Sequence, residues 1–250
     1  MEYTIHTIAE RPDLTRTRWR VTEPSWPTFM LQDPMSDLYY PRLDTDFPAC
    51  QFVLMSAPDT AIAFGCTIPF YWDGTPEGLP VGWDAVLEQG MRDHDAGRAP
   101  NTLSALEATI HPDYRSQGLS RVILDQMRGI AAAQGFAALV APVRPNQKSL
   151  YPLTPIERYA AWLRPDGAPF DAWLRTHWRM GARILKPAPA SMYIPGTVAQ
   201  WEEWTGMAFP DSGSYVVPGA LAPITIDRAA DQGVYVEPNV WMLHEVSSGT

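Results

Sequence analysis

The stretch from Ile110 to Ser120, Ile-His-Pro-Asp-Tyr-Arg-Ser-Gln-Gly-Leu-Ser, constrains this chain more than any other. It follows an apolar run, Leu103 to Ile110, bounded by Asn101 and Pro112, which reads as a buried strand. It leads into a segment where Leu119, Val122, Ile123, Met127, Ile130 and Ala131 recur at helical spacing, with Gly135 placed as a stop. A second apolar run, Phe136 to Val143, follows. The order is strand, turn, helix, strand. A helix that starts from a glycine-bearing turn leaves its first amides unpaired and directs the positive end of its dipole at one point. Backbone arranged in this way is suited to a pyrophosphate.

Arg115 to Ser120 has the pattern Arg-x-x-Gly-x-small, and Ile110-His111-Pro112 precedes it as an aliphatic-x-Pro step. In this context the unit resembles the acetyl-CoA-binding core of the GNAT N-acyltransferase family. That family's motif is Gln or Arg, two residues, Gly, one residue, then Gly or Ala. Arg115 and Gly118 match; Ser120 departs, yet it is small, as close backbone approach requires. The resemblance implies an α/β fold with a central mixed β-sheet flanked by helices. It also implies acyl transfer from acyl-CoA, most simply acetyl-CoA, to an amine of a small molecule. Backbone groups near Ile110 would pair with the pantetheine arm. The turn residues Arg115, Ser116, Gln117, Gly118, Leu119 and Ser120 would hold the pyrophosphate, and Asn146 would bond the cofactor or the following helix. A homodimer is common in the family.

Composition narrows the partners. Net charge is −9, from 28 acidic and 19 basic residues, which argues against nucleic acid, whose phosphates demand a basic surface. Met1 to Asp13 has no long apolar core, and no segment has the roughly 20 apolar residues needed to cross a bilayer. The expectation is a cytoplasmic protein without membrane partners. Cys50 and Cys66 have neither disulfide-framework nor metal spacing and read as buried thiols, with no metal expected.

Along the chain, Tyr3 to Ala9 reads as a first strand. Leu14 to Gln32 reads as short helices interrupted by Pro24 and Pro27, which in the family would line the substrate side. Gln51 to Met55 and Ala61 to Phe70 form a hairpin around Asp59-Thr60, and Val81 to Asp95 an amphipathic helix. Short helices are expected around Ile156 to Leu163, from Asp171 to Met180 with Asp171 as N-cap, and from Thr197 to Gly206. Ala182 to Ile194 reads as a strand broken by a loop at Pro187-Ala188-Pro189. Ile224 to Asp227 and Val234 to Met242 form a final strand pair. The expected division is an acyl-CoA-binding domain over 1–195 and a C-terminal elaboration over 196–250 packed on it, capping the substrate site.

The catalytic candidates come from the resemblance. The family's helix after the fifth strand ends in Tyr-x-x-x-Gly, whose tyrosine commonly protonates the departing thiolate. Counting back four from Gly181 gives His177, and an imidazolium there is chemically competent as an acid. Tyr151 and Tyr159 are rivals for that position. A base on the strand before the turn would fall at Leu106 or Ser104, neither of which is basic. Glu107 sits one step off, facing away under strict alternation unless a β-bulge turns it back. A water chain is the alternative. Lys148 and Arg144 are candidate contacts for the CoA 3′-phosphate or simply solvated charges. Trp201, Trp204 and Trp241 read as core more readily than as a ligand box. Glu237 and Asn239 are potential acceptor-binding groups that no sequence pattern ties to the site. Two other functions remain compatible with the turn: a non-catalytic acyl-CoA sensor or partner subunit, and an acyltransferase fed by a carrier-protein thioester.

Overall fold

A computed structural model describes residues 2–246. Nine strands form the sheet: β1 (Thr4–Thr7), β2 (Gln51–Ala57), β3 (Thr60–Phe70), β4 (Thr102–Ile110), β5 (Ala138–Val143), β6 (Arg183–Gly196), β7 (Gly213–Tyr215), β8 (Ile224–Asp227) and β9 (Gln232–Glu245). The helices are α1 (Trp19–Thr22), α2 (Pro34–Asp46), α3 (Trp83–Asp95), α4 (Leu119–Ala133), α5 (Ile156–Ala160), α6 (Ala172–Arg179) and α7 (Val198–Thr205). The strand order is β1-β2-β3-β4-β5-β9-β8-β7, with β6 paired to β9. All pairings are antiparallel except β4 with β5.

The sheet is apolar on both faces, which explains the near-continuous apolar runs of its central strands. One face buries Phe64, Ile68, Leu106 and Trp241 with Val21 of α1, Leu43 of α2, Val86 of α3 and Val198 of α7. The other buries Leu103, Leu139 and Met242 under Ile123 and Met127 of α4, Ile156 of α5 and Leu174 of α6. The strand–turn–helix–strand unit forms as the spacing predicts, from β4 through α4 to β5.

Three features depart from the sequence reading. Helix α2, a segment given no assignment from sequence, forms despite Pro41 within it, because Asp33 caps it by accepting from the amides of Met35 and Ser36. The loop expected at Pro187-Ala188-Pro189 is instead part of continuous β6, whose ladder slips between Ala188 and Met192, where prolines are tolerated. The C-terminal strand pair does more than cap the fold. Strand β9 lies between β5 and β6, pairing Val240 to Glu245 with Val143 to Ala138. Of the C-terminal tryptophans, Trp201 and Trp241 are fully buried and Trp204 is partly buried against the core; a Cβ at Gly233 would stand 2.1 Å from Trp201 Cδ1.

Candidate active site

β4 and β5 pair only at Leu103–Leu139 and Ser104–Val140. Beyond that point a cleft of about 990 Å³ opens between them, with walls from both faces of the sheet. Leu124, Met127, Trp173 and His177 line it on the α4 side, and Trp26, Tyr40, Trp83 and Met192 on the other.

At one end of the cleft lies the turn. Gly118 is the N-cap of α4 at φ +80°, and Ser116 adopts φ +63°, two left-handed residues that wrap the backbone around one point. Among the described residues, none accepts from the amides of Ser116, Gln117 or Gly118, and those of Leu119 and Ser120 are first-turn amides with no intrahelical partner. A Cβ at Gly118 would meet nothing within 4 Å, so this donor cluster faces open space. Leu119, 2% exposed, anchors the helix start in the core, while Gln117 is exposed. Arg115 folds back so that Nε donates to Ile110 O at 3.4 Å. Ile110, Arg115, Ser116 and Ser120 all border the cleft, as does Asn146, whose amide donates to Asp171. An open, donor-rich turn at the end of splayed strands fits a pyrophosphate with an extended thioester arm.

Glu107 reaches the cleft through a β-bulge. Cys66 pairs with Glu107 but Thr67 pairs with Ala105, leaving Leu106 unpaired. The extra residue restores Glu107 to the face already occupied by Leu106. The freed Leu106 carbonyl accepts from Trp83 Nε1 at 2.8 Å. The Glu107 carboxylate accepts from Trp26 Nε1 (3.0 Å), Thr109 Oγ1 (2.7 Å) and Tyr40 OH (2.7 Å). Burial, then the charge of Glu107, pushes the Tyr40 hydroxyl well above the ordinary range, so it remains a donor.

His177 lines the opposite wall and is 2% exposed. Burial first, and His244 second, hold its pKa well below the usual histidine range. The imidazolium considered from sequence is therefore absent near neutral pH. Tyr159, a rival for the same position, donates to Asp171 at 2.9 Å inside an aromatic cluster with Tyr151, Trp162 and Phe170, away from the cleft. Lys148 is no phosphate contact: its buried Nζ donates to Tyr151 O and Leu221 O. Arg144 is engaged through Nε and Nη2, while no described residue accepts from its Nη1. Its Nε contacts both oxygens of buried Glu237 (3.0 and 2.9 Å), and its guanidinium lies 5.5 Å from the Trp26 ring centre. Glu237 also accepts from Tyr235 OH and Asn239 Nδ2, and Arg144, Glu237 and Asn239 all border the cleft. Cys50 and Cys66 are free and buried, the Cys66 thiol pushed up to about 12 chiefly by burial.

No family model matches the chain. Its sequence is 34% identical to the arginine N-acetyltransferase avaD of Aspergillus versicolor, over 98% of this chain and 94% of that protein. The chain belongs to the GNAT superfamily. The GNAT fold is shared with the loading GNATL domain of CurA from Lyngbya majuscula, at a TM-score of 0.63, 17% identity and 98% coverage of each chain. It is shared too with the GphF GNAT-like decarboxylase in complex with isobutyryl-CoA, at a TM-score of 0.57, 15% identity and 99% and 100% coverage. This GNAT protein is an acyl-CoA-dependent N-acyltransferase acting on a small-molecule amine. Among its described residues, no helix is long and apolar enough to cross a membrane, and no group of three or more His, Cys, Asp or Glu side chains is disposed to hold a metal.

Sequence reasoning missed Trp26, Tyr40 and Trp83 as parts of this site. Each reaches β4 across at least 23 residues of chain, and no local pattern marks such a contact.

Proposed function

We propose that this enzyme transfers the acetyl group of acetyl-CoA to the α-amine of arginine or a close arginine derivative, in the cytoplasm. The observation that carries the reading is Glu107, turned into the cleft by the bulge at Leu106 and fixed there by Trp26, Thr109 and Tyr40. The guanidinium of an arginine acceptor stays protonated and is no nucleophile. The α-amine can lose its proton, and Glu107 is the group we assign to receive it. The amides from Ser116 to Ser120, with Ile110, Arg115 and Asn146, hold the CoA arm and pyrophosphate, and His177 faces the sulfur. The acetyl-CoA supplies the activated carbonyl; the chain supplies alignment, charge and a proton acceptor.

Arg144 supports an amino acid as acceptor. It is braced by Glu237 and stacked near Trp26, which itself bonds Glu107. A cation over the ring and a carboxylate at the Nε1 edge of one indole thus match the two charges of an α-amino acid. The arginine named for the 34% identical relative agrees with this pattern.

The test is thiol release from acetyl-CoA with arginine, ornithine, lysine and agmatine as acceptors. Arginine should give the highest kcat/KM, agmatine should be at least about tenfold poorer for want of a carboxylate, and Glu107→Gln should lower the arginine rate by about 10² to 10³. Turnover of an uncharged arylalkylamine in preference to arginine would overturn the acceptor assignment.

A further inference from the structure

His177 and His244 form a buried pair behind the cleft. His177 lies near the end of α6; His244 lies on β9 opposite Leu139, and they are 2% and 1% exposed. His177 Nδ1 and His244 Nε2 are 2.9 Å apart. The remaining nitrogen of each ring, His177 Nε2 and His244 Nδ1, is buried with no partner among the described residues. A buried polar atom left unpaired is costly, and His177 lines the cleft where a substrate can supply the missing partner.

Both rings are neutral at working pH. Burial lowers both, with His244 adding to the effect at His177, and with Arg128 bringing His244 to about 4. One proton therefore lies on the Nδ1–Nε2 line, and its owner sets both tautomers. If His244 owns it, His177 carries its own proton on Nε2. If His177 owns it, Nε2 presents a lone pair. Arg128, whose own Nε is a buried donor without an acceptor, acts on His244 more strongly than Asp125, which opposes it. Of the two tautomers, the one with a lone pair on His244 Nδ1 and the shared proton on His244 Nε2 turns an N–H of His177 toward the cleft.

We infer that His244 is a positioning residue for acyl transfer: it donates Nε2–H to His177 Nδ1 and fixes His177 as the neutral tautomer whose Nε2–H meets the negative charge growing on the departing sulfur. This rests on the reading of His177 as the group at the sulfur. No proton transfers at His177, since a neutral imidazole is far too weak an acid for a thiolate whose thiol titrates near ~8.5. The C–N bond forms as the C–S bond breaks, with its electron pair going to sulfur. The amine's proton passes to Glu107 and on to solvent, and CoA leaves as thiolate and is protonated by water. A neutral histidine acting as a hydrogen-bond donor to developing charge is an established catalytic device.

The experiment combines nitrogen-15 NMR of the imidazoles in the whole protein with steady-state kinetics of His177→Phe, His244→Leu and His244→Gln. His177 should be protonated on Nε2 in the unsubstituted protein. His244→Leu, which keeps bulk without a donor, should lower kcat by about 10- to 100-fold and leave CoA affinity within about twofold. His244→Gln, which can donate from nearly the same place, should recover most of that loss. A wild-type His177 protonated on Nδ1 overturns the inference even if His244→Leu fails to fold. So does His244→Leu with full kcat beside a crippled His177→Phe, which leaves the reading of His177 standing. Full activity in His177→Phe would instead remove that reading and the inference with it.

Discussion

At Glu107 one carboxylate collects donors from three segments: Trp26 from the connection before α2, Tyr40 from α2 and Thr109 from its own strand. Trp26 also stands against Arg144, so a single indole touches both charges proposed to read the acceptor. Trp26→Phe keeps an aromatic face and deletes the Nε1–H. A hydrogen bond to a charged group contributes about 1.5–3 kcal/mol, so kcat/KM for arginine should fall about 10- to 100-fold while CoA affinity by calorimetry stays unchanged. An equal loss in CoA affinity would mean that Trp26 supports the cleft as a whole rather than the acceptor. Gly118 is the corresponding point on the side proposed for CoA. At φ +80° any other residue is strained by about 1–2 kcal/mol, yet a side chain there finds open space. Gly118→Glu should therefore fold, as read by circular dichroism, and lose acetyl-CoA affinity by at least about 100-fold, because its carboxylate enters the place proposed for the pyrophosphate. Retained affinity would reassign the turn to a structural cap.

At the scale of elements, the bulge in β4 links fold to chemistry. The extra residue leaves the Leu106 carbonyl out of the ladder, and Trp83 at the start of α3 satisfies it. Trp83→Phe should cost about 1–3 kcal/mol of stability in denaturant titration and lower kcat through a misaimed Glu107; an intact kcat with lowered stability would show that the bulge holds its shape without that bond. The same bulge marks the boundary of what the sequence discloses. β4, its turn, α4 and β5 are legible because each signal is local: apolar runs, a helical period and a stop at Gly135. The aim of Glu107 is not, since alternation points it away and only the pairing of Cys66 and Thr67 reveals the slip. Nor is the pair of His177 with His244, which lie 67 residues apart and meet only because β9 enters the sheet beside β5. α2 escaped notice because its stability comes from the Asp33 cap and from packing, with Pro41 breaking any clean helical pattern.

At the scale of the whole molecule, the cleft wall proposed for the acceptor is fastened by a carboxyl pair. Asp33 caps α2, and Asp84, in the first turn of α3, accepts from the Tyr193 amide of β6 at 2.8 Å. Asp33 Oδ2 and Asp84 Oδ1, the oxygens left over from those bonds, are buried without a partner among the described residues, and burial raises both carboxyls. Two carboxyls so placed share one proton, and burial followed by the charge of Asp33 raises Asp84 to about 8. Unfolded, that carboxyl titrates near 3.8. Below this value both states hold the proton and the contribution to stability is complete. As pH rises, the unfolded chain releases the proton while the folded chain retains it, so stability declines and the contribution is lost once the pH passes about 8. Above that pH, two carboxylates repel at the joint of α2, α3 and β6, the elements that carry Tyr40, Trp83 and Met192 to the cleft. Asp84→Asn replaces the shared proton with a permanent N–H and removes the titration. Thermal melts at a series of pH values should give the closest midpoints for the two proteins at the acid end, near the unfolded value of 3.8, with the substituted protein melting progressively higher up to about pH 8 and the difference level beyond it. Parallel curves would mean the pair is not protonated in the fold. The buried histidines, whose lowered values cost stability as pH falls, are present in both proteins and cancel from the difference.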